Sequence, residues 1–116
     1  MYDDNNIFAK IIRKEIPCNL IFEDDEVLFF NDINPQAKIH ILGVPKAEVE
    51  NLSDFINKCD EKKVAYFFNR VIDVVKKFDL HKKGYRIITN EGKDSNQEVP
   101  HFHIHILGGE NIGGLR

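Results

Sequence analysis

Tryptophan is absent from this 116-residue chain, cysteine occurs twice, and no apolar run approaches the roughly 20 residues that span a bilayer. No membrane-crossing helix is therefore expected. Cys18 and Cys59 lie far apart and form no C-x-x-C pair, which reads as reduced thiols in a cytosolic protein and leaves no disulfide scaffold to look for. The opening M-Y-D-D-N-N is acidic and carries no apolar h-region, so no secretory signal is expected. Basic residues are not in excess either. Sixteen Lys and Arg against 19 Asp and Glu leave a net charge of −3, where a nucleic-acid-binding domain would present a basic face. What remains is a chain that is 42% hydrophobic with nine Phe, enough to build one core over residues 1–116 without metal or disulfide support. The expectation is a single cytoplasmic domain with neither membrane nor nucleic acid as partner.

Periodicity assigns the elements. Asn5 or Asn6 can cap a short helix opening near Ile7, with Ile7, Phe8, Ile11 and Ile12 on one face and Pro17 ending the segment. The runs N-L-I-F-E, V-L-F-F-N-D and K-I-H-I-L-G-V-P read as three consecutive strands, the first two joined by the acidic turn Asp24-Asp25-Glu26. A short helical piece near Val49–Leu52 precedes a long helix opening around Ser53 or Asp60. Along that helix Val64, Phe67, Phe68, Val71, Val75 and Phe78 recur at spacings of three and four. Gly84 resets the chain into a fourth strand, G-Y-R-I-I-T-N, and a polar loop leads to a fifth. The order predicts an α+β fold: a five-stranded, mostly antiparallel sheet with one long helix and a short N-terminal helix.

The fifth strand, H-F-H-I-H-I-L, holds three of the chain's five histidines at every second position. On a strand that spacing turns Phe102, Ile104 and Ile106 to the core and sets His101, His103 and His105 in a row on the opposite face. Each buried imidazole brings two nitrogens that need partners, so packing alone is a poor account of three. Two chemistries compete. Three histidines can hold zinc, with His40 as a fourth ligand, although a straight row converges poorly on a tetrahedral ion. Alternatively, a neutral imidazole can attack phosphorus while a neighbouring one protonates the leaving group.

The flanking residues favour the second. Asn90, Asn96 and Gln97 in the loop before the strand, with Gly92 for a turn, suit a phosphate cradle of amides and backbone N–H groups. Gly108-Gly109 after it permits close approach of the backbone. Asp32, at a strand end eight residues before His40, can accept both hydroxyls of a ribose, and Phe8, Ile11 and Ile33 can sandwich a base. These elements describe a mononucleotide site. His81, beside Lys82 and Lys83, reads as a solvated helix-end histidine.

The H-F-H-I-H-I-L run resembles the signature of the histidine triad (HIT) superfamily, specifically its nucleotide-binding Hint branch. I-F-A-K-I-I-R-K-E-I-P, D-I-N-P-Q-A, G-Y-R-I-I-T-N-E-G and H-I-L-G-G follow in family order, so the resemblance covers about Ile7 to Gly109. It implies a hydrolase of purine nucleoside 5′-phosphoramidates working through a covalent nucleotidyl-histidine, with no cofactor and no metal. His103 would be the nucleophile, His105 would contact the phosphate and assist the leaving amine, and His101 and His40 would support them. Asp32 would hold the ribose, with Ile33, Phe8 and Ile11 around the purine and Asn90, Asn96, Gln97 and Glu98 around the phosphate. An isologous homodimer through the long helix and fourth strand is also implied. Alternatives are a dinucleoside polyphosphate hydrolase, whose typical Gln is missing where this chain has Ile106-Leu107, and a non-catalytic nucleotide-binding or regulatory protein. The chain departs from the pattern at three points. It has no N-terminal cysteine pair for zinc, it has Glu98 where many animal relatives have Ser, and it has a Trp-free tail. A Glu98 carboxylate would repel a phosphate, so its side chain is expected to point away and only its N–H to serve the site.

Overall fold

The computed structural model of the chain describes residues 1–115. The elements run α1 (Ile7–Ile12), β1 (Asn19–Glu23), β2 (Val27–Asn31), β3 (Ile39–Pro45), α2 (Leu52–Lys58), α3 (Glu61–Lys77), α4 (Leu80–Lys83), β4 (Arg86–Ile88) and β5 (Ile104–Gly108). The strands form one sheet in the order β1-β2-β3-β5-β4, and every pairing is antiparallel. The α+β expectation holds, with the sheet wholly rather than mostly antiparallel.

Alternation along the central strands sorts side chains onto two covered faces. Val27, Phe29, Ile41, Ile104 and Ile106 join Phe55, Phe67, Val71, Val74 and Val75 beneath α2 and α3. Leu28, Phe30, Leu42 and Val44 face the other way, against Phe8 and Ile11 of α1. β2 and β3 are therefore buried on both sides and read as continuous apolar runs.

Local chemistry sets the helix ends. Asn6 caps α1 by accepting from Ala9 N–H at 2.9 Å, and Asp60 caps α3 by accepting from Lys63 N–H at 2.8 Å, with Lys76 and Lys77 at the negative end of the helix dipole. α1 stops at Ile12, well before Pro17, because Lys14 turns left-handed at φ 67°. The piece predicted near Val49–Leu52 instead begins at Leu52, capped by the Asn51 side chain at Asp54 N–H. Cys59 is the C-cap of that helix, and the long one opens after Asp60. Along α3 the outermost predicted stripe residue, Phe68, is 36% exposed, while Val74 is buried in its stead. α4 escapes sequence reading because four residues are too few for a periodicity.

The histidine run departs most from expectation. Only His105 lies within β5; His101, Phe102 and His103 precede it and leave the ladder. Their backbone groups bond elsewhere: Phe102 N–H donates to Val49 O at 2.8 Å, His103 O accepts from Thr89 Oγ at 2.8 Å, and His101 O accepts from the His103 ring at 2.7 Å. One backbone bond to Val49 and two side-chain bonds replace the ladder here, so the alternation of faces survives without the strand.

Gly43 marks the tightest point of the core. A Cβ there would lie 2.5 Å from the ring of Phe29, itself fully buried and stacked on Phe67. Gly43→Ala is expected to cost about 1–3 kcal/mol by overpacking, read as a lowered urea midpoint; an unchanged midpoint contradicts this packing.

Candidate active site

His40, on β3, pairs across the ladder with Leu107, and Leu42 pairs with His105. His40 and His105 are thus diagonal neighbours on one face, the arrangement that lets long side chains meet across antiparallel strands. Their rings meet with His40 Nε2 2.9 Å from His105 Nδ1. His103 follows along the same face, its ring 5.2 Å from that of His105 and edge-on to Phe8 of α1 at 4.8 Å.

Fixed donors and acceptors assign every tautomer. The Gln36 backbone N–H donates to His40 Nδ1 at 2.9 Å, so the neutral His40 ring carries its proton on Nε2. That proton points to His105 Nδ1, with Asp32 Oδ2 3.4 Å away. His105 therefore carries its own proton on Nε2. A backbone carbonyl can only accept, so His103 Nδ1 is protonated and donates to His101 O, leaving Nε2 as a bare lone pair. His101 donates from Nε2 to Pro45 O at 2.8 Å and accepts at Nδ1 from the Tyr2 hydroxyl at 2.6 Å. Among the described residues no buried side-chain nitrogen or oxygen lacks a partner. The unpartnered Nε2 atoms of His103 and His105 therefore open onto the cavity beside them.

Burial keeps all four rings neutral. Desolvation pushes His101 and His105 down to about 4, against the upward pull of Pro45 O on His101 and of Asp32 on His105. Desolvation also lowers His103 and His40, opposed at His40 by Asp32.

The cavity measures about 270 Å³ and is bordered by Phe8, Asp32, Leu42, Asn90, Ser95, Asn96, Gln97, Glu98, Val99, His103 and His105. No lysine or arginine lines it. A larger hollow of about 630 Å³, between α4, β4 and residues 109–113, contains none of the histidines.

Eight of the predicted residues border the cavity, the two supporting histidines lie behind it, and Ile11, Ile33 and Gln97 stand differently from expectation. His101 is fully buried and His40 nearly so, behind the cavity wall. Ile11 packs in the core under α1, and Ile33 stands 94% exposed on the loop after β2; neither borders the cavity. Gln97 borders it, but its amide serves the loop. Nε2 donates to Glu50 O at 2.7 Å and Val99 O at 2.9 Å, while Oε1 accepts from Gly92 N–H at 3.0 Å. Its backbone N–H is bonded to Gly92 O as well. Gln97 therefore shapes the cradle without offering it a donor. Glu91 ties the same loop to α2 through Ser53 N–H and Oγ. Sequence reading missed Tyr2 and Thr89, which support the histidines from 99 and 14 positions away with no local motif.

Asp32, His40 and His105 bring three ligand atoms within 4.8 Å of one another, a set able to take a divalent ion only by displacing the proton that His40 and His105 share.

The HIT domain family model matches residues 13–112. An uncharacterized HIT-like protein of Rickettsia prowazekii is 44% identical over 115 residues, covering 99% of this chain and 96% of its own. A histidine triad protein from Clostridium difficile superposes with a TM-score of 0.87 at 38% identity over 100% of both chains. A HIT family hydrolase from Clostridium thermocellum superposes at 0.84 with 34% identity, covering 97% of this chain and 96% of that one.

Neutral buried histidines make stability fall with acid. Between the ordinary histidine value of 6.5 and about 4, the unfolded chain binds a proton at residue 101 that the fold refuses. Stability is therefore lost as pH drops, with a slope approaching about 1.4 kcal/mol per pH unit for this ring. Carboxylates held low by partners, such as Glu23 between Lys14 and Lys46, act only further down. Urea midpoints should decline from pH 7 to pH 5; a flat profile contradicts neutral burial.

Proposed function

The chain belongs to the HIT domain family, and from that premise we propose that it hydrolyses purine nucleoside 5′-phosphoramidates of the AMP-amide or aminoacyl-AMP type. The observation that carries this reading is the bare Nε2 of a neutral His103 at the wall of the cavity. That lone pair attacks phosphorus, and the P–N bond to the amine breaks. His105 donates a hydrogen bond from its Nε2–H to the departing nitrogen, which takes its proton from solvent as the P–N bond breaks. Water then attacks the phosphorus on His103 and returns a proton to solvent, the P–N bond to His103 breaks, and the nucleoside monophosphate is released. His40 holds the tautomer of His105, and His101 that of His103. Asp32 accepts from the ribose, Phe8 edges the base, and Asn90, Asn96 and the Glu98 N–H surround the phosphoryl oxygens.

Charge separates this reading from the dinucleoside polyphosphate alternative. A polyphosphate needs cations, yet the cavity offers the Asp32 carboxylate, neutral imidazoles and no Lys or Arg. A phosphoramidate brings a single negative charge and a neutral or cationic amine. The wild-type protein should turn over an AMP amide faster than a diadenosine polyphosphate. His103→Ala should lose about a thousandfold or more in kcat, roughly 4 kcal/mol of barrier. Equal rates for the two proteins contradict the proposal.

We further propose an isologous homodimer. β4 is a sheet edge with Ile87 38% exposed, and α3 carries Phe68 and Ile72 at 36% and 39%. Covering those side chains with a second copy removes apolar surface and closes the edge. Sedimentation should show a dimer at micromolar concentration; a monomer contradicts it.

A further inference from the structure

Tyr2 sits outside every motif of the chain, yet its hydroxyl meets the triad. The Asn6 amide nitrogen can only donate, and it does so to Tyr2 Oη at 3.0 Å. The hydroxyl proton is thereby directed at His101 Nδ1, 2.6 Å away. Pro45 O, which can only accept, faces the other nitrogen of the same ring at 2.8 Å. Both ends of a fully buried imidazole are therefore fixed, and with them the backbone of residue 101, whose carbonyl receives the Nδ1 proton of His103 at 2.7 Å. A second tie runs through α1. Asn6 also caps that helix, and Phe8 on its first turn lies edge-on to the rings of both His101 and His103.

We propose that Tyr2 is a positioning residue: by donating to His101 it holds the carbonyl that keeps the Nδ1 proton on His103 and leaves His103 Nε2 free to react. The inference rests on the reading of His103 as nucleophile. The Tyr2 ring touches neither the cavity nor a substrate; it acts through His101.

The test is Tyr2→Phe in the full chain. Phe keeps the ring that packs edge-on to His101 at 5.6 Å and removes only the donor. Two-dimensional 15N–1H spectra of the histidine side chains report tautomers directly and need no substrate. In the wild-type protein His101 should show Nε2–H with a hydrogen-bonded Nδ1, and His103 should show Nδ1–H. In Tyr2→Phe the His101 Nδ1 resonance should move to that of an unbonded nitrogen, and His103 should lose its single tautomer. On an AMP amide, kcat should fall about tenfold or more while KM changes less than about twofold, the signature of a supporting hydrogen bond rather than of binding. A melting temperature near that of the wild type, with both changes present, separates positioning from general destabilisation. Unchanged histidine spectra overturn the proposal, and so does an unchanged kcat despite altered spectra. Should the wild type turn over no phosphoramidate, the proposed function fails, and the spectra of the two proteins still decide the role of Tyr2.

Discussion

The hydrogen bond from His103 Nδ1 to the carbonyl two residues earlier is the constraint from which the rest of the site follows. It closes within one short extended segment, and it determines which nitrogen of the ring is protonated. It also requires the carbonyl of His101 to be absent from the sheet ladder. The fold provides for this by ending β5 at Ile104, giving Phe102 N–H to Val49 and His103 O to Thr89. A regular strand through residues 101–103 would have tied up that carbonyl and left the ring free to adopt either tautomer.

Around this bond the protein maintains neutrality by burial and fixed hydrogen bonds. Four imidazoles are buried or half-buried, each desolvated enough to shed its charge, and each receives or gives one fixed hydrogen bond that removes its ambiguity. Such a network costs stability when acid charges it, which is the thermodynamic counterpart of keeping the His103 ring unprotonated near neutral pH. The cavity shares this low charge: Asp32 borders it, and no Lys or Arg lines it.

Much of this was legible in the residues. The alternation of His with Phe and Ile survives as two faces, the succession of strands and the long helix along the chain was readable from turn signals and apolar runs, and Asp32 and Asn96 do border the cavity. What stayed hidden depends on contacts between distant positions. Ile11 and Ile33 looked equivalent as apolar candidates, but one is drawn into the core beneath α1 and the other left in solvent. Gln97 looked like a phosphate ligand because an amide in a polar loop suits either role; only the three bonds it makes to Glu50, Val99 and Gly92 show that the loop has claimed it. Tyr2 gave no signal at all, since its partner lies 99 residues away.

The central claim is that a neutral His103 attacks phosphorus through Nε2. Rapid acid-free quenching of the wild-type protein with an AMP amide, followed by peptide mapping in a mass spectrometer, tests it most directly. The account predicts AMP attached to His103 within the first turnover. AMP attached to any other residue, or turnover with no nucleotide on the protein, contradicts it.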